Sequence, residues 1–130
     1  MTIRKILDEH AADEVLWFGT VTPSGRPTTR PVWFVHHDGE LLLFSEPGAA
    51  KVRHLAGNPH VVVTFPSDPA AAHVRVVSGT AVVEHGLPSA FPGYLAKYER
   101  HYDAVGYDRD RFDATFDALV RITPERTWGW

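Results

Sequence analysis

The stretch Thr28–Pro59, TTRPVWFVHHDGELLLFSEPGAAKVRHLAGNP, joins two apolar strands to a short helix. Val32, Phe34 and the run Leu41-Leu42-Leu43-Phe44 flank His37-Asp38-Gly39-Glu40. Asp-Gly between apolar runs is the strongest short-range hairpin signal. Ser45-Glu46-Pro47-Gly48 then ends the strand and opens a helix at Ala49, which closes at Gly57-Asn58-Pro59, where glycine and proline stop helices. Val52, Leu55 and Ala56 form its expected inward stripe, with Lys51 on the edge of that stripe. Lys51 falls in or near the first turn, where the positive end of the helix dipole disfavours a cation by about 0.3–1 kcal/mol. A bound anion would reverse that sign. The free N–H groups of a helix start, the Ser45 hydroxyl and the cations Lys51 and Arg53 together describe a phosphate or carboxylate site. The other reading is two solvated cations on a surface helix.

Outward from this stretch, Thr2 can cap a first helix running to about Ala12, with Ile3, Ile6 and Leu7 at helical spacing, expected on the outside of a barrel. Val15–Thr22 reads as a strand, Pro23-Ser24-Gly25-Arg26-Pro27 as a turn, and Thr28–His36 as a second strand. The two-residue period places Arg30, Val32 and Phe34 on one face and Thr29, Pro31, Trp33 and Val35 on the other. Pro31 cannot donate to a ladder, so this strand belongs at an edge or a bulge. Beyond the helix come a strand His60–Phe65, a loop Pro66–Ala72, and a long strand His73–Glu84 with Gly79 as a bend. A helix is expected over Pro88–Tyr102, with Phe91, Tyr94, Leu95 and Tyr98 on one face. A shorter one follows over Arg109–Thr115, then a last strand, Ala118–Thr123. About six strands with two or three helices predict a mainly β fold, a small barrel with helical additions.

The chain has 130 residues, 44% hydrophobic and 22% charged, which suits one globular domain over residues 1–130. It has no cysteine, which excludes disulfide and thiolate chemistry, and no apolar run near the roughly 18–20 residues that span a bilayer. The start, Met1 to Lys5, lacks the apolar core of a signal peptide, so a cytoplasmic location is expected. A net charge of −3 argues against general nucleic-acid binding. Val15–Phe18, Leu41–Phe44 and Val61–Val63 are apolar on both faces, more than so small a chain can cover internally, and this predicts a homodimer.

Eight histidines raise the question of a metal, but His36 and His37 point to opposite strand faces and no HxH or HExxH set is present, so no metal site is expected. Neither Ser24 nor Ser78 sits in a GxSxG elbow, and there is no Walker loop or GxGxxG. An enzyme without a catalytic constellation of its own needs a bound cofactor to carry the reaction. No catalytic residue is assigned.

The segments Thr29-Arg30-Pro31-Val32-Trp33-Phe34, Phe44-Ser45, Lys51-Val52-Arg53-His54-Leu55, Asn58-Pro59 and Val74–Ala81 resemble the flavin-binding split-barrel family, the pyridoxamine 5′-phosphate oxidase-like group. The opening Phe18–Thr22 with Gly25-Arg26-Pro27, the ending Arg121–Pro124 with Trp128-Gly129-Trp130, and the short length are similar to its small actinobacterial-type members that use coenzyme F420, a deazaflavin. The resemblance implies a six-stranded Greek-key split β-barrel, homodimeric, with cofactor sites at the subunit interface. It implies that Ser45, Lys51 and Arg53 hold the cofactor phosphate and that Arg30, Pro31, Val32 and Trp33 line the ring system. Trp128 and Trp130 would approach from the partner subunit, or else form a tail packed on the barrel. The longer C-terminal motif with which pyridoxamine phosphate oxidases grip their substrate is lacking. The implied activity is hydride transfer between F420 and a small conjugated substrate. The alternatives are an FMN-dependent oxidase or reductase, and a non-enzymatic flavin or haem-type binder.

Overall fold

The Thr2 hydroxyl accepts the Lys5 N–H at 3.2 Å and so starts the first helix, α1 (Ile3–Glu9), in a computed structural model that describes residues 2–130. Met1, within the expected domain 1–130, lies outside the described residues. In chain order the strands and helices that follow are β1 (Leu16–Val21), β2 (Pro27–Val32), β3 (Val35–His37), β4 (Glu40–Ser45), α2 (Ala50–Gly57), β5 (His60–Thr64), β6 (Arg75–His85), α3 (Pro92–Tyr102), α4 (Arg109–Thr115) and β7 (Ala118–Gly129). The strands form one antiparallel sheet in the order β2-β1-β5-β6-β7-β4-β3. Its two edge strands, β2 and β3, are successive in the chain and joined by Trp33-Phe34, so the sheet curls back on itself and is split between them.

Two hairpins set the register. Asp38 and Gly39 both take positive φ, 49° and 79°, as a two-residue hairpin requires, and His37 lies opposite Glu40. At the other hairpin the Thr22 N–H donates to the Arg26 carbonyl at 2.8 Å, and the register runs Thr20 to Thr28, Phe18 to Arg30 and Leu16 to Val32. Pro31 sits on edge strand β2, where its missing N–H costs no ladder bond.

Alternate residues of β4 serve two cores. Leu41 and Leu43 point into the barrel with Leu16, Phe18, Val61, Val63, Val77 and Val120, while Leu42 faces outward against Tyr94, Tyr98, Tyr102 and Phe112 of α3 and α4. The outer face of β4 is therefore covered within the chain, contrary to expectation, because the tyrosines of α3 recur every four residues and form an aromatic slab. α1 was expected on the outside, yet its Ile6 and Leu7 belong to the barrel core. In α2, Leu55 is buried and Val52 half-buried, whereas Ala56 is exposed, so the inward stripe is narrower than predicted.

The fold class is as expected, mainly β, with seven strands among the described residues in place of six and four α-helices in place of two or three. The extra strand arises because Thr28–His36 is not continuous. At the break, the Tyr98 hydroxyl accepts the Phe34 N–H at 2.8 Å and lies 2.8 Å from the Phe34 and Glu14 carbonyls, and Lys97 Nζ donates to the Phe34 carbonyl at 3.0 Å. Side chains of α3 thus satisfy the backbone groups that a ladder would have used. The helix predicted over Pro88–Tyr102 starts late: a 3₁₀ turn, Pro88–Ala90, precedes Pro92, which holds Phe91 extended. The last strand does not stop at Pro124 but continues to Gly129. Opposite Pro124 is Gly79, at the register shift of β6, and a Cβ there would fall 2.0 Å from the Thr123 carbonyl oxygen. The bulge made possible by glycine carries the ladder past the proline.

Candidate functional site

The turn at Thr22–Arg26 places Phe18 and Thr20 of β1 on the same face as Thr28, Arg30 and Val32 of β2. The first turns of α2 lie over this face, and a cleft of about 350 Å³ opens between them. Ala49, Ala50, Lys51 and His54 form its helical wall, with Arg30, Pro31 and Val32 opposite. All of its lining side chains are apolar, hydroxylic or cationic, apart from His54, and none is a carboxylate.

Lys51 is half-buried. Burial lowers its pKa from the ordinary value, the Glu46 charge opposes that shift, and the Arg30 charge adds to it. Arg30 donates from Nη1 to the Thr29 carbonyl at 3.3 Å. Among the described residues, neither cation has a carboxylate oxygen within 4 Å. The helix start is open as well: Ala49 at the N-cap makes no side-chain cap bond, and the Val52 and Arg53 N–H groups both reach the Ala49 carbonyl, at 3.1 and 3.3 Å. The N–H groups of the first turn ahead of them have no place in the helix ladder. Two cations of one sign and an uncapped helix start lower the free energy of an anion in this cleft, while Pro31 and Val32 offer an apolar side to a flat ring.

Of the residues singled out from the sequence, Arg30, Pro31, Val32 and Lys51 come together here. The others lie elsewhere. Trp33 packs into the aromatic slab, stacked on Tyr98 at 4.8 Å between ring centroids. Ser45 ends β4, is only 2% exposed, and its hydroxyl donates to the Glu46 carbonyl at 3.0 Å. Arg53 is exposed and folds back onto the Gly48 carbonyl. Trp128 and Trp130 are exposed on a different surface with Arg75, whose Nη1 donates to the Trp130 carbonyl at 2.8 Å. The Trp130 indole N–H donates to the Ala71 carbonyl at 2.8 Å.

Sequence reasoning missed Thr20, Thr28 and His54. Thr20 Oγ1 lies 2.8 Å from His54 Nδ1 and 3.3 Å from Thr28 Oγ1. The signal was available: a five-residue turn fixes the pairing of Thr20 with Thr28, and His54 falls three residues after Lys51, on the same helix face. Among the described residues, no group of three histidine, aspartate or glutamate side chains could hold a metal ion, and no helix is long and apolar enough to cross a membrane.

The family model described as pyridoxamine 5′-phosphate oxidase matches residues 3–130. The pyridoxine/pyridoxamine 5′-phosphate oxidase of Bacteroides thetaiotaomicron is 42% identical over 48 residues, which are 36% of this chain and 22% of that protein. The match thus spans well under half the length of this curated relative. Among solved structures, an F420 reductase superposes with a TM-score of 0.71 at 18% identity, covering 93% of this chain and 94% of the other. The haem storage protein HutZ from Vibrio cholerae superposes with a TM-score of 0.67 at 19% identity, covering 99% and 95%. At these identities the two structures establish a shared fold.

Proposed function

Because the chain belongs to the pyridoxamine 5′-phosphate oxidase family, we propose that it is an oxidoreductase whose flavin-type cofactor lies in the cleft between α2 and the β1–β2 hairpin, and that this cofactor is the deazaflavin F420. The observation that carries the reading is the pairing of half-buried Lys51 with Arg30 in a cleft without a carboxylate. In it, Lys51 and the open helix start hold the anionic phosphate, and Arg30, Pro31 and Val32 border the ring. When bound, the cofactor supplies the hydride that a small conjugated substrate accepts. The protein positions the reactants and excludes water. Ser45, Arg53 and Trp33, assigned to the site by resemblance, act at most through the residues they support.

FMN is the second reading, and one observation favours it. The longer anionic tail of F420 calls for cations beyond Lys51 and Arg30, yet Arg4 and Lys5 line other surfaces and Arg53 folds back onto the Gly48 carbonyl. Fluorescence titration of the protein with each cofactor separates the two: a lower dissociation constant for F420 supports the first reading, and a lower one for FMN replaces it. Failure of both to bind refutes the site.

The proposal includes a homodimer. Trp17 and Val62, on the outward face of β1 and β5, are 45% and 36% exposed, beside an apolar depression that includes Gly19, Thr29 and Val62. A surface of that kind fits a second copy of the chain. Light scattering at micromolar concentration tests this, with a stable monomer counting against it.

A further inference from the structure

We propose that His54 is a third anion-binding group of the cleft, and that it makes anion affinity depend on pH: the site holds an oxyanion more tightly when the imidazole is protonated. The inference rests on the reading that the cleft receives the anionic end of a cofactor, and it adds a residue and a mode of regulation to that reading.

Three observations converge. The first is the surroundings of the ring. Six of the eight histidines, His10, His36, His37, His73, His85 and His101, have a carboxylate oxygen within 4 Å. His54 has none among the described residues, and it alone of the histidines lines the cleft with Lys51 and Arg30. A protonated imidazole there shares the cleft with two cations and, among the described residues, has no carboxylate oxygen within 4 Å, so a bound anion serves as its counter-ion.

The second observation is the partner on Nδ1. Thr20 Oγ1, 2.8 Å away, belongs to a residue only 4% exposed, with Thr28 Oγ1 at 3.3 Å on its other side. A hydroxyl has one hydrogen and two lone pairs. It can donate to the bare Nδ1 of a neutral ring, or turn to accept from the Nδ1–H of an imidazolium while donating to Thr28. Thr20 can therefore partner the ring in both charge states. The third is the far edge of the ring: Nε2 has no hydrogen-bond partner among the described residues and is not sealed from solvent. In the imidazolium it is a free charge-assisted donor in the cleft, three residues along the helix from Lys51.

Few other groups compete for this role. The helix carries Lys51 and Arg53, Glu46 precedes it, and β2 contributes Arg30. Beneath α2, β1 carries no titratable side chain, β5 carries His60 at its start, and β6 carries Arg75, Glu84 and His85 near its ends. The sign follows from linkage. An anion raises the pKa of His54, so the added affinity is fully present below the free-state pKa and is lost as pH rises through the bound-state value.

The test uses inorganic sulfate, whose charge is constant between about pH 5.5 and 8.5, at fixed ionic strength. The His54 imidazole is followed by NMR, assigned through His54→Gln, with and without sulfate, and sulfate affinity is measured by calorimetry across the same range. The expected result is an upward move of the His54 midpoint by about one pH unit, with sulfate binding weakening about tenfold over the range in the wild type and less than about twofold in His54→Gln. A midpoint that sulfate does not move, or the same pH profile in His54→Gln, overturns the proposal. If cofactor still binds through Lys51 in that case, the proposed function stands and the role of His54 alone is lost. If neither sulfate nor either cofactor binds the wild type, both fall.

Discussion

Replacing Tyr98 by phenylalanine removes one oxygen from the point where the sheet divides into β2 and β3. That hydroxyl accepts the N–H of fully buried Phe34 at 2.8 Å and is within 2.8 Å of the carbonyls of Phe34 and Glu14, one of which receives its hydrogen. The Phe34 carbonyl keeps Lys97 Nζ at 3.0 Å, so the group left without a partner is the Phe34 N–H. A buried, unpaired amide costs about 1–3 kcal/mol, and the lost donor bond adds about 0.5–1.5 kcal/mol, a total of about 1.5–4.5 kcal/mol. The Trp33–Tyr98 stack at 4.8 Å survives in the variant, so little of the loss comes from packing. Tyr102 provides the control. It is in the same aromatic slab and its hydroxyl is buried without a hydrogen-bond partner among the described residues, so Tyr102→Phe should be neutral or slightly stabilising. Urea unfolding of the three proteins gives both differences. A cost below about 1 kcal/mol for Tyr98→Phe, or an equal cost for Tyr102→Phe, would refute the view that α3 holds the split.

Two further predictions concern glycine and pH. Gly79→Ala should cost more than about 3 kcal/mol or prevent soluble expression, because the new Cβ would meet backbone at 2.0 Å, whereas Gly57→Ala, with open space around it, should be neutral or stabilise by about 0.5–1 kcal/mol; thermal melts distinguish the two. Lys97 has its pKa lowered from 10.5 to about 8, first by burial and then by the Arg100 charge, with Asp13 and Glu14 opposing. Its charged form is therefore disfavoured in the folded protein, and its contribution to stability rises as pH climbs from about 8 towards the unfolded value of 10.5. The stability difference between wild type and Lys97→Met should shift in favour of the wild type across that window, and denaturation curves showing a constant difference would contradict it.

The hairpins, the ends of α2 and the span of α4 were legible in the sequence because local chemistry decides them. Asp38-Gly39 accepts positive φ at both positions, Gly57-Asn58-Pro59 stops a helix, and Asp108 caps α4 by accepting the Arg111 N–H at 2.8 Å. What was missed depends on distant partners. The break at Trp33-Phe34 is stabilised by Tyr98, 64 residues on, and β7 passes Pro124 only because Gly79 lies across from it. The same distinction runs through the site. Lys51 could be picked out by its position in a helix first turn, and Arg30, Pro31 and Val32 by family resemblance. Spacing alone does not show that the Ser45 hydroxyl is buried and bonded to the Glu46 carbonyl. Thr20 and His54 are 34 positions apart and meet only once α2 docks on β1.

The most direct test of the cleft as the cofactor site is a fluorescence titration of Lys51→Ala with F420 and FMN, read beside a thermal melt of the same protein without cofactor. Removal of one charge-assisted hydrogen bond should weaken binding by about 1.5–3 kcal/mol, roughly ten- to a hundredfold. The cofactor-free protein should melt no lower than the wild type, since Lys51 is partly desolvated, with the Glu46 charge opposing and the Arg30 charge adding to that cost, and among the described residues it has no carboxylate oxygen within 4 Å. Unchanged affinity for both cofactors would contradict the account, and Lys51 would then be only a cation at a helix start.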